Sequence, residues 1–316
     1  MTHILCVVPS YRTEADGIST FAKELLGYKS DIRIVESNFT SISNLLRCVF
    51  HSRILVLNGP YFWPYPLLCI FGRIIGKKTI FINHGNISIL NESCKKKIFN
   101  RLFLFLIGPF INLFIVTSEA ERSGLRGFPC LKMPLSVGVG VLQGPNDSLK
   151  YIGYCGRISK EKRVNVLIES FDKVACSISL QLVIAGKVQD PNCNLASGSH
   201  SFIGEVTRDQ SRSISSRAYF NVNLSRSESF GYSVAESLSA GVPVIVSLES
   251  EWPVEQGFGY RVDGDDQESI KDLLRKIDVL TEHEYETLSS NAYKFYCDNY
   301  SYEIVREKWE ALFETV

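Results

Sequence analysis

The feature of this chain that most constrains its fold is the alternation of short Val/Ile/Leu/Phe runs with longer amphipathic stretches. Apolar runs of this kind are typical of strands that crossover helices bury on both faces of a parallel sheet. The alternation therefore predicts an α/β fold. In the first half, the predicted strands are 3–8, 32–36, 53–57, 79–83 and 112–116, and the predicted helices are 18–27, 41–50, 65–76 and 92–107.

A second series of the same kind begins at Tyr151. Its predicted strands are 151–155, 180–186, 201–204, 218–224 and 243–247, its predicted helices are 163–175, 208–216 and 232–240, and a βα unit covers 260–278. Two further helices, 282–297 and 302–314, end the chain. Since 316 residues suffice for two domains, we expect one at 1–140, one at 141–298, and a helix at 299–316 that crosses back to the first. The join at 136–147 contains Gly and Pro and reads as a hinge.

Composition excludes several classes of protein. With 45% hydrophobic residues, the chain is too apolar to be disordered, and its net charge of zero argues against a general nucleic-acid binder. The nine cysteines form no CxxC pair, so neither a zinc cage nor a disulfide framework is expected. The N-terminal apolar run is too short for a signal peptide, and the longest apolar stretch, 102–114, is too short to span a bilayer. A cytoplasmic protein is expected.

The richest motif is the segment 225–247, SRSESFGYSVAESLSAGVPVIVS, which follows a predicted strand. Gly231 allows the backbone to approach a ligand, and the helix that begins beyond it offers free amides for an anion. Glu228 and Glu236 are eight residues apart. That spacing alone means little, because Glu161 and Glu169 share it.

The whole pattern resembles the signature of retaining glycosyltransferases of the GT-B fold, specifically glycosyltransferase family 4. The resemblance is strong over 151–247, moderate over 78–124 and weak elsewhere. It implies two Rossmann-like domains facing a cleft, with the nucleotide diphosphate sugar mainly on the second. Glu236 is expected to bind the ribose, and Glu228, Phe230, Gly231 and Tyr232 are expected to lie around the donor sugar. Ser237 departs from the usual Ala.

A second block, GRISKEKR at 156–163, resembles the family's G-R-x-x-x-x-K-G element. An Arg and a Lys on one βα loop can both contact phosphate oxygens. The resemblance therefore implies that Arg157 and Lys162 bind the donor diphosphate. Arg163 stands where the family usually has Gly.

Two positions in the first half complete the expected site. His84 ends a predicted strand, and the resemblance places it against the sugar as a catalytic residue together with Glu228. Gly17 lies in a turn that resembles the family's loop for donor phosphates. Asp16 replaces the first Gly of that loop, and a carboxylate beside a diphosphate is unfavourable.

Two other patterns are read as structural. Gly138-Val-Gly140-Val-Leu-Gln-Gly144 has the wrong spacing for a dinucleotide fingerprint and is followed by Pro145, so it is assigned to the hinge. Asp263-Gly-Asp265-Asp266 has the DxD form of a metal site but precedes a helix, where it serves as a turn and N-cap. No metal and no cofactor are expected.

The implied function is transfer of a sugar from a nucleotide sugar to a glycan or polyprenyl-linked acceptor, in assembly of a bacterial-type surface polysaccharide such as O-antigen, capsule or exopolysaccharide. A glycosidase needs two carboxylates about 5–9.5 Å apart, and the loop and helix between Glu228 and Glu236 disfavour such a pair. Two alternatives stay open: a nucleotide-sugar epimerase of the same fold, and a non-catalytic subunit that binds nucleotide sugar.

Charge is unevenly distributed along the chain. Residues 1–148 carry 16 basic and 9 acidic residues, whereas residues 149–316 carry 18 and 25. Much of the first half's excess lies in 73–101, immediately before an apolar and aromatic run. The segment 94–107 is either a core helix with a basic start or a helix that lies on an anionic membrane surface. The second interpretation makes the protein peripheral on the inner face of the cytoplasmic membrane.

Overall fold

The computed structural model describes residues 4–9, 17–28, 31–37, 40–59, 64–83, 94–137, 150–193, 195–196 and 198–316, with the helical backbone alone for 17–20, 94–97, 99 and 100. The chain divides into two compact units. The first comprises Met1–Ser136 and Glu303–Val316, and the second comprises Val137–Tyr302.

The first unit contains a six-stranded sheet in the order β2-β1-β3-β4-β5-β6. All of its strand pairs are parallel. The strands are β1 (Ile4–Val8), β2 (Ile32–Glu36), β3 (Ile54–Asn58), β4 (Lys78–Ile82), β5 (Leu113–Val116) and β6 (Cys130–Lys132). The central strands β1 and β3 are buried along their whole length, as their continuous apolar runs predict.

The helices of this unit are α1 (Gly17–Tyr28), α2 (Ile42–Phe50), α3 (Tyr65–Ile74), α4 (Cys94–Ile107), α5 (Glu119–Gly124) and α11 (Tyr302–Thr315). Phe81 of β4 lies at the centre of the aromatic core, with ring centroids 5.9 Å from Phe103 and 5.7 Å from Phe114. Helices α3 and α4 therefore pack against the face of the sheet that carries Phe81.

The second unit contains another six-stranded parallel sheet, in the order β12-β11-β10-β7-β8-β9. The strands are β7 (Tyr151–Cys155), β8 (Gln181–Ala185), β9 (His200–Gly204), β10 (Phe220–Asn223), β11 (Val244–Ser247) and β12 (Gly259–Val262). Strand order reverses between β7 and β10, which is the topological switch point of a Rossmann-like sheet.

The helices of the second unit are α6 (Val164–Asp172), α7 (Arg208–Arg217), α8 (Tyr232–Ser239), α9 (Gln267–Asp278) and α10 (Glu282–Tyr300). Several begin where side chains cap the first amides. Thr207 and Thr281 form capping boxes for α7 and α10, and Asp266 caps α9. These capping residues explain why the helices α7, α9 and α10 begin where the sequence pattern predicts.

The two parallel sheets confirm the predicted α/β fold. Strand β6 and helix α5 were not predicted, because the first is a partly exposed strand of three residues and the second has only six residues. The first unit's N-terminal part ends at Ser136 and the second unit begins at Val137, whose backbone N–H donates to Tyr296 Oη at 3.4 Å. The predicted boundary at 140/141 lies outside the described residues. The predicted hinge, with Gly138, Gly140 and Gly144, lies outside the described residues.

The last helix, α11, begins at Tyr302, as the predicted helix 302–314 does, after Ser301 interrupts the helical backbone. The first three residues of the predicted segment 299–316 therefore precede this helix. Residues 303–316 belong to the first unit. Trp309 is fully buried there, with its indole Nε1 donating to Pro134 O at 3.1 Å and its ring centroid 4.9 Å from that of Phe21. The end of the chain is therefore part of the first unit's core.

Replacing Trp309 should destabilise the first unit. Trp309→Ala removes a buried aromatic ring and leaves a cavity, so we expect the free energy of unfolding to fall by about 3–5 kcal/mol. Urea denaturation followed by far-UV circular dichroism measures the change. Lys308→Ala, on the exposed side of the same helix, is the matched control. Equal stability of the two variants would contradict this assignment of α11 to the core.

Candidate active site

The predicted donor-binding residues of the second unit follow the two strands that flank its switch point. Strand β7 pairs with both β8 and β10, and all three strands are parallel, so their carboxyl ends meet at one edge of the sheet. Arg157 and Lys162 follow β7, and Glu228 follows β10. This edge is where a Rossmann-like sheet binds its ligand.

Lys162 and Glu228 are in direct contact. Lys162 ends a short 3₁₀ helix, Lys160–Lys162, and its Nζ lies 2.5 Å from Glu228 Oε2. Asn223 Nδ2, at the end of β10, donates to the same carboxylate oxygen at 3.3 Å. The side chains of Lys162 and Glu228 are 16% and 24% exposed, so a bound molecule can still reach them. The structure therefore brings together two of the predicted site residues.

Arg157 lies on the loop between β7 and the 3₁₀ helix, and it is exposed. Its backbone is fixed by a hydrogen bond, because the hydroxyl of Tyr154 donates to Arg157 O at 2.6 Å. Burial raises the pKa of the Tyr154 hydroxyl, so it stays protonated and remains a donor. The guanidinium thus extends from an anchored loop into solvent at the carboxyl edge.

The N-terminus of α8 lies on the loop that carries Glu228. Gly231 precedes the helix with φ of 80°, a left-handed conformation that favours glycine. Phe230 is buried among aromatic rings, with centroids 5.2 Å from Tyr232 and 5.6 Å from Trp252. Trp252 Nε1 also donates to Phe230 O at 3.0 Å. These contacts of Phe230 fix the backbone directly before α8, so that the first amides of the helix have a defined position.

Glu236 is buried on the second turn of α8. Its carboxylate accepts a hydrogen bond from Arg208 Nε at 3.3 Å, and only 8% of its side chain is exposed. Burial raises the pKa of the Glu236 carboxyl above its ordinary value, while Arg208 and Arg212 of α7 partly oppose that rise. Glu228 and Glu236 thus have different cationic partners and different degrees of burial, which suits different roles.

Sequence reasoning did not identify Asn223, Trp252 or Arg208 as part of this site. Asn223 carries a weak signal, since it is a polar residue at the end of a buried strand at the switch point. Arg208 and Trp252 carry none, because each reaches the site from a different βα unit. Their partners are 28 and 22 residues away in the sequence.

The acidic cluster 263–266 is a structural turn, as predicted. Asp265 accepts hydrogen bonds from Arg163 and Arg226, and Asp263 Oδ1 accepts one from the Asp265 amide. Asp266 caps α9 through the Glu268 amide. Among the described residues, no group of His, Cys, Asp and Glu side chains is arranged to hold a metal ion.

The first unit contributes less to the described site. Gly17 is the first residue of α1, at the carboxyl side of β1. His84 lies outside the described residues. Asn83, the residue before it, is fully buried directly after β4, and its backbone N–H donates to Ile115 O at 2.9 Å. Among the described residues, no helix is both long and apolar enough to cross a bilayer.

Residues 143–295 match the family described as Glycosyl transferases group 1. A search of curated protein sequences finds no match. Among solved structures, Anabaena Alr3699/HepE in complex with UDP-glucose superposes with a TM-score of 0.75 at 14% identity, over 99% of this chain and 100% of that one.

Two other solved structures are similarly close. Sucrose-phosphate synthase from Thermosynechococcus elongatus gives a TM-score of 0.74 at 15% identity, over 100% of this chain and 99% of that one. A glycosyltransferase from Rickettsia africae gives 0.76 at 13% identity, over 99% and 98%. The chain therefore has the GT-B fold, and the family match and the fold together support a GT-B glycosyltransferase.

Substitution of Gly231 should disturb the start of α8. A Cβ there would lie 3.0 Å from Trp252 Nε1 and 3.3 Å from Glu228 Cγ. Gly204, with φ of 92° and nothing within 4 Å of an added Cβ, offers a control that adds backbone strain without a clash. We expect Gly204→Ala to cost about 1–2 kcal/mol of stability, and Gly231→Ala to cost a further 1–3 kcal/mol or so. Thermal denaturation compares the two, and equal costs would show that the space around Gly231 is not restrictive.

Proposed function

We propose that this protein transfers a sugar from a nucleotide diphosphate sugar to a glycan or polyprenyl-linked acceptor, with retention at the anomeric carbon, in the assembly of a surface polysaccharide. The observation that carries the proposal is the contact between Lys162 and Glu228 at the switch point, beside the N-terminus of α8. It lies within the segment that matches the glycosyltransferase family. UDP or UDP-sugar complexes among the neighbours support a nucleotide sugar as the donor.

In the proposed reaction an acceptor hydroxyl forms the new bond to the anomeric carbon, and the bond from that carbon to the β-phosphate oxygen breaks. The acceptor approaches on the face from which the diphosphate departs, which retains the configuration. The hydroxyl proton passes to the departing β-phosphate oxygen, and the nucleoside diphosphate takes the bonding electrons. Arg157, Lys162 and the first amides of α8 stabilise the charge that develops on this leaving group. Three such groups supply positive potential at the diphosphate without a metal ion, which is our reason for proposing a metal-independent enzyme.

The remaining site residues are assigned to the sugar and the ribose. Glu228 orients the donor sugar, and we propose that His84, at the expected end of the first unit's fourth strand, contacts the same sugar. Gly17, at the start of α1, is proposed to approach the donor phosphates. Glu236 accepts a hydrogen bond from the ribose. The differing partners of Glu228 and Glu236 favour this division over a glycosidase pair, which acts on one glycosidic bond from two sides.

The proposal predicts that Glu236 contributes to nucleotide affinity. Glu236→Ala removes a charged acceptor worth about 1.5–3 kcal/mol, which raises the Kd for the nucleoside diphosphate by about 10- to 100-fold. Calorimetry with UDP, GDP and ADP, with and without EDTA, measures the effect. Glu169→Ala is the matched control, because Glu169 is exposed and belongs to the second pair of Glu residues with the same spacing. Wild-type affinity in Glu236→Ala would overturn the assignment.

Catalysis is tested by release of nucleoside diphosphate from UDP-sugar that depends on added acceptor. Acceptor-dependent release supports transfer, whereas conversion of the sugar nucleotide without acceptor indicates an epimerase. Binding without turnover indicates a non-catalytic subunit. Glu228→Ala is expected to reduce turnover and spare affinity for the bare nucleotide.

Nucleotide binding should also depend on pH through Glu236. Burial raises the pKa of this carboxyl, so protonation removes the ribose acceptor at a higher pH than for an exposed glutamate. We expect the affinity for UDP to fall as the pH is lowered towards that raised pKa. Glu236→Gln, which has no such proton to gain, should show a flatter profile once the titration of the phosphate itself is subtracted. Parallel profiles for both proteins would contradict the prediction.

We further propose that α4 lies on an anionic membrane surface, where a lipid-linked acceptor would also be located. One face of the helix exposes Ile98, Leu102, Phe105 and Leu106, whose exposed fractions are between 52% and 77%. Phe103 and Ile107 on the other face are buried in the core. The core therefore does not require the exposed apolar side chains. The sequence places three consecutive lysines, 95–97, in the first turns of this helix, and positively charged residues there favour an anionic lipid.

The membrane proposal predicts salt-sensitive co-sedimentation with phosphatidylglycerol vesicles. Both Phe105→Ser and Lys95/Lys96/Lys97→Glu should weaken it, because each Lys near the surface contributes about 1 kcal/mol and apolar insertion adds to it. Val279→Ser is the control, since Val279 is equally exposed but lies in the second unit. Affinity for UDP should not change. Equal sedimentation with anionic and neutral vesicles would leave a soluble acceptor as the better proposal.

A further inference from the structure

Arg163 occupies an unusual backbone position. Its φ is 53°, and among the described residues it is the only non-glycine residue with a positive φ. A left-handed conformation costs an L-residue about 1–2 kcal/mol, which explains why the similar family has Gly here. The side chain is nevertheless 2% exposed. Strong contacts in the folded protein must offset both the strained backbone and the buried charge.

The guanidinium of Arg163 makes five hydrogen bonds, one for each of its N–H groups. Nη1 donates to Leu224 O at 2.9 Å and to Glu249 Oε2 at 3.0 Å. Nη2 donates to Glu249 Oε1 at 2.5 Å and to Asp265 Oδ2 at 2.7 Å, and Nε donates to Asp265 Oδ1 at 3.1 Å. The hydrogen bond from Arg163 lowers the pKa of Glu249 below its ordinary value.

These acceptors belong to three different loops. Leu224, Glu249 and Asp265 follow β10, β11 and β12, respectively, while Arg163 itself follows β7. One buried side chain therefore joins the segments that leave four strands of the sheet at their carboxyl ends. A planar guanidinium with two bidentate carboxylates fixes direction as well as distance.

The backbone next to Arg163 joins the same loops. The Arg226 amide donates to Glu161 O at 2.8 Å, which attaches the loop after β10 to the 3₁₀ helix that follows β7. Lys162 lies between Glu161 and Arg163 in the sequence, so residues on both sides of it are attached to that loop. The position of Lys162 relative to Glu228 thus depends on contacts that neither residue makes itself.

We propose that Arg163 is a positioning residue for the donor site. Its hydrogen bonds hold Lys162 and Glu228 at the relative positions that a nucleoside diphosphate requires. The proposal rests on the proposed function for its ligand, and on the hydrogen bonds above for its mechanism. Arg163 does not contact the ligand. It orders the loops in the ligand-free protein, so that less ordering has to take place on binding.

The test uses Arg163→Gly, which removes the guanidinium and at the same time suits the left-handed backbone, so that loss of the side chain is not confounded with strain. Arg275→Ala is the matched control, because Arg275 also pairs with a carboxylate of the second unit, Asp272, but on the surface of α9. Glu249→Gln is a second variant that weakens the network and leaves Arg163 in place. Each protein is examined by amide hydrogen exchange without ligand and by calorimetry with UDP, GDP and ADP.

We expect faster exchange at residues 224–228 in Arg163→Gly and in Glu249→Gln, but not in Arg275→Ala. We expect the Kd for the bound nucleotide to rise by about 10-fold in Arg163→Gly. In a Lys162→Ala background the same substitution should raise the Kd by less than about 3-fold, because the effects of substituting two residues are not additive when one acts through the other. A general loss of stability would give the same factor in both backgrounds.

The outcomes separate the two proposals. In one outcome the wild type binds nucleotide while amide exchange at 224–228 is unchanged in both Arg163→Gly and Glu249→Gln. That result would overturn the role of Arg163 and leave the proposed function intact. Equal factors in the two backgrounds would show that Arg163 does not act through Lys162. Failure of the wild type to bind any of the three nucleotides would overturn the proposed function itself, whatever the exchange data show.

Discussion

The site depends on one constraint, which is that every strand of the second sheet runs in the same direction. Parallel pairing of β7 with β8 on one side and with β10 on the other brings the loops after these strands to one edge. Lys162 and Glu228 are 66 residues apart in the sequence and nevertheless form an ion pair there. A ligand that bridges two βα loops needs such an edge, and the reversal of strand order leaves a gap between the crossover helices at that point.

The charged side chains at this edge form pairs of opposite sign and remain partly accessible to solvent. Removing one member of a partly buried pair leaves the other without a partner, which costs more than the pair itself contributes. Lys162 with Glu228 and Arg208 with Glu236 are therefore both maintained in the ligand-free protein. A diphosphate and a ribose would offer the same groups new partners of the appropriate charge and hydrogen-bonding type. Binding then exchanges contacts rather than exposing unpaired charges.

The elements of the fold could be predicted because their signals are local. Buried parallel strands appear as continuous apolar runs, and capping residues such as Thr207 and Thr281 mark where helices begin. The resemblance to the glycosyltransferase family implied that Lys162 and Glu228 belong to one site. The side-chain partners could not be predicted. Arg208 reaches Glu236 from another helix, and the buried role of Arg163 depends on Glu249 and Asp265, which are 86 and 102 residues away. No local pattern encodes such pairs.

The net charge of the second half illustrates why local geometry matters more than composition. Residues 149–316 carry 25 acidic and 18 basic residues, which would repel an anionic donor if charge acted at long range. At physiological ionic strength, however, charges separated by more than about 8 Å are largely screened in solvent. Several of the acidic side chains are also neutralised by close partners, as Glu249 and Asp265 are by Arg163 and Arg226 together. Under the proposed function, a diphosphate would meet an exposed Arg157, Lys162 and the amides at the start of α8 at the carboxyl edge. The acidic excess of the second half and an anion-binding edge are therefore compatible in one unit.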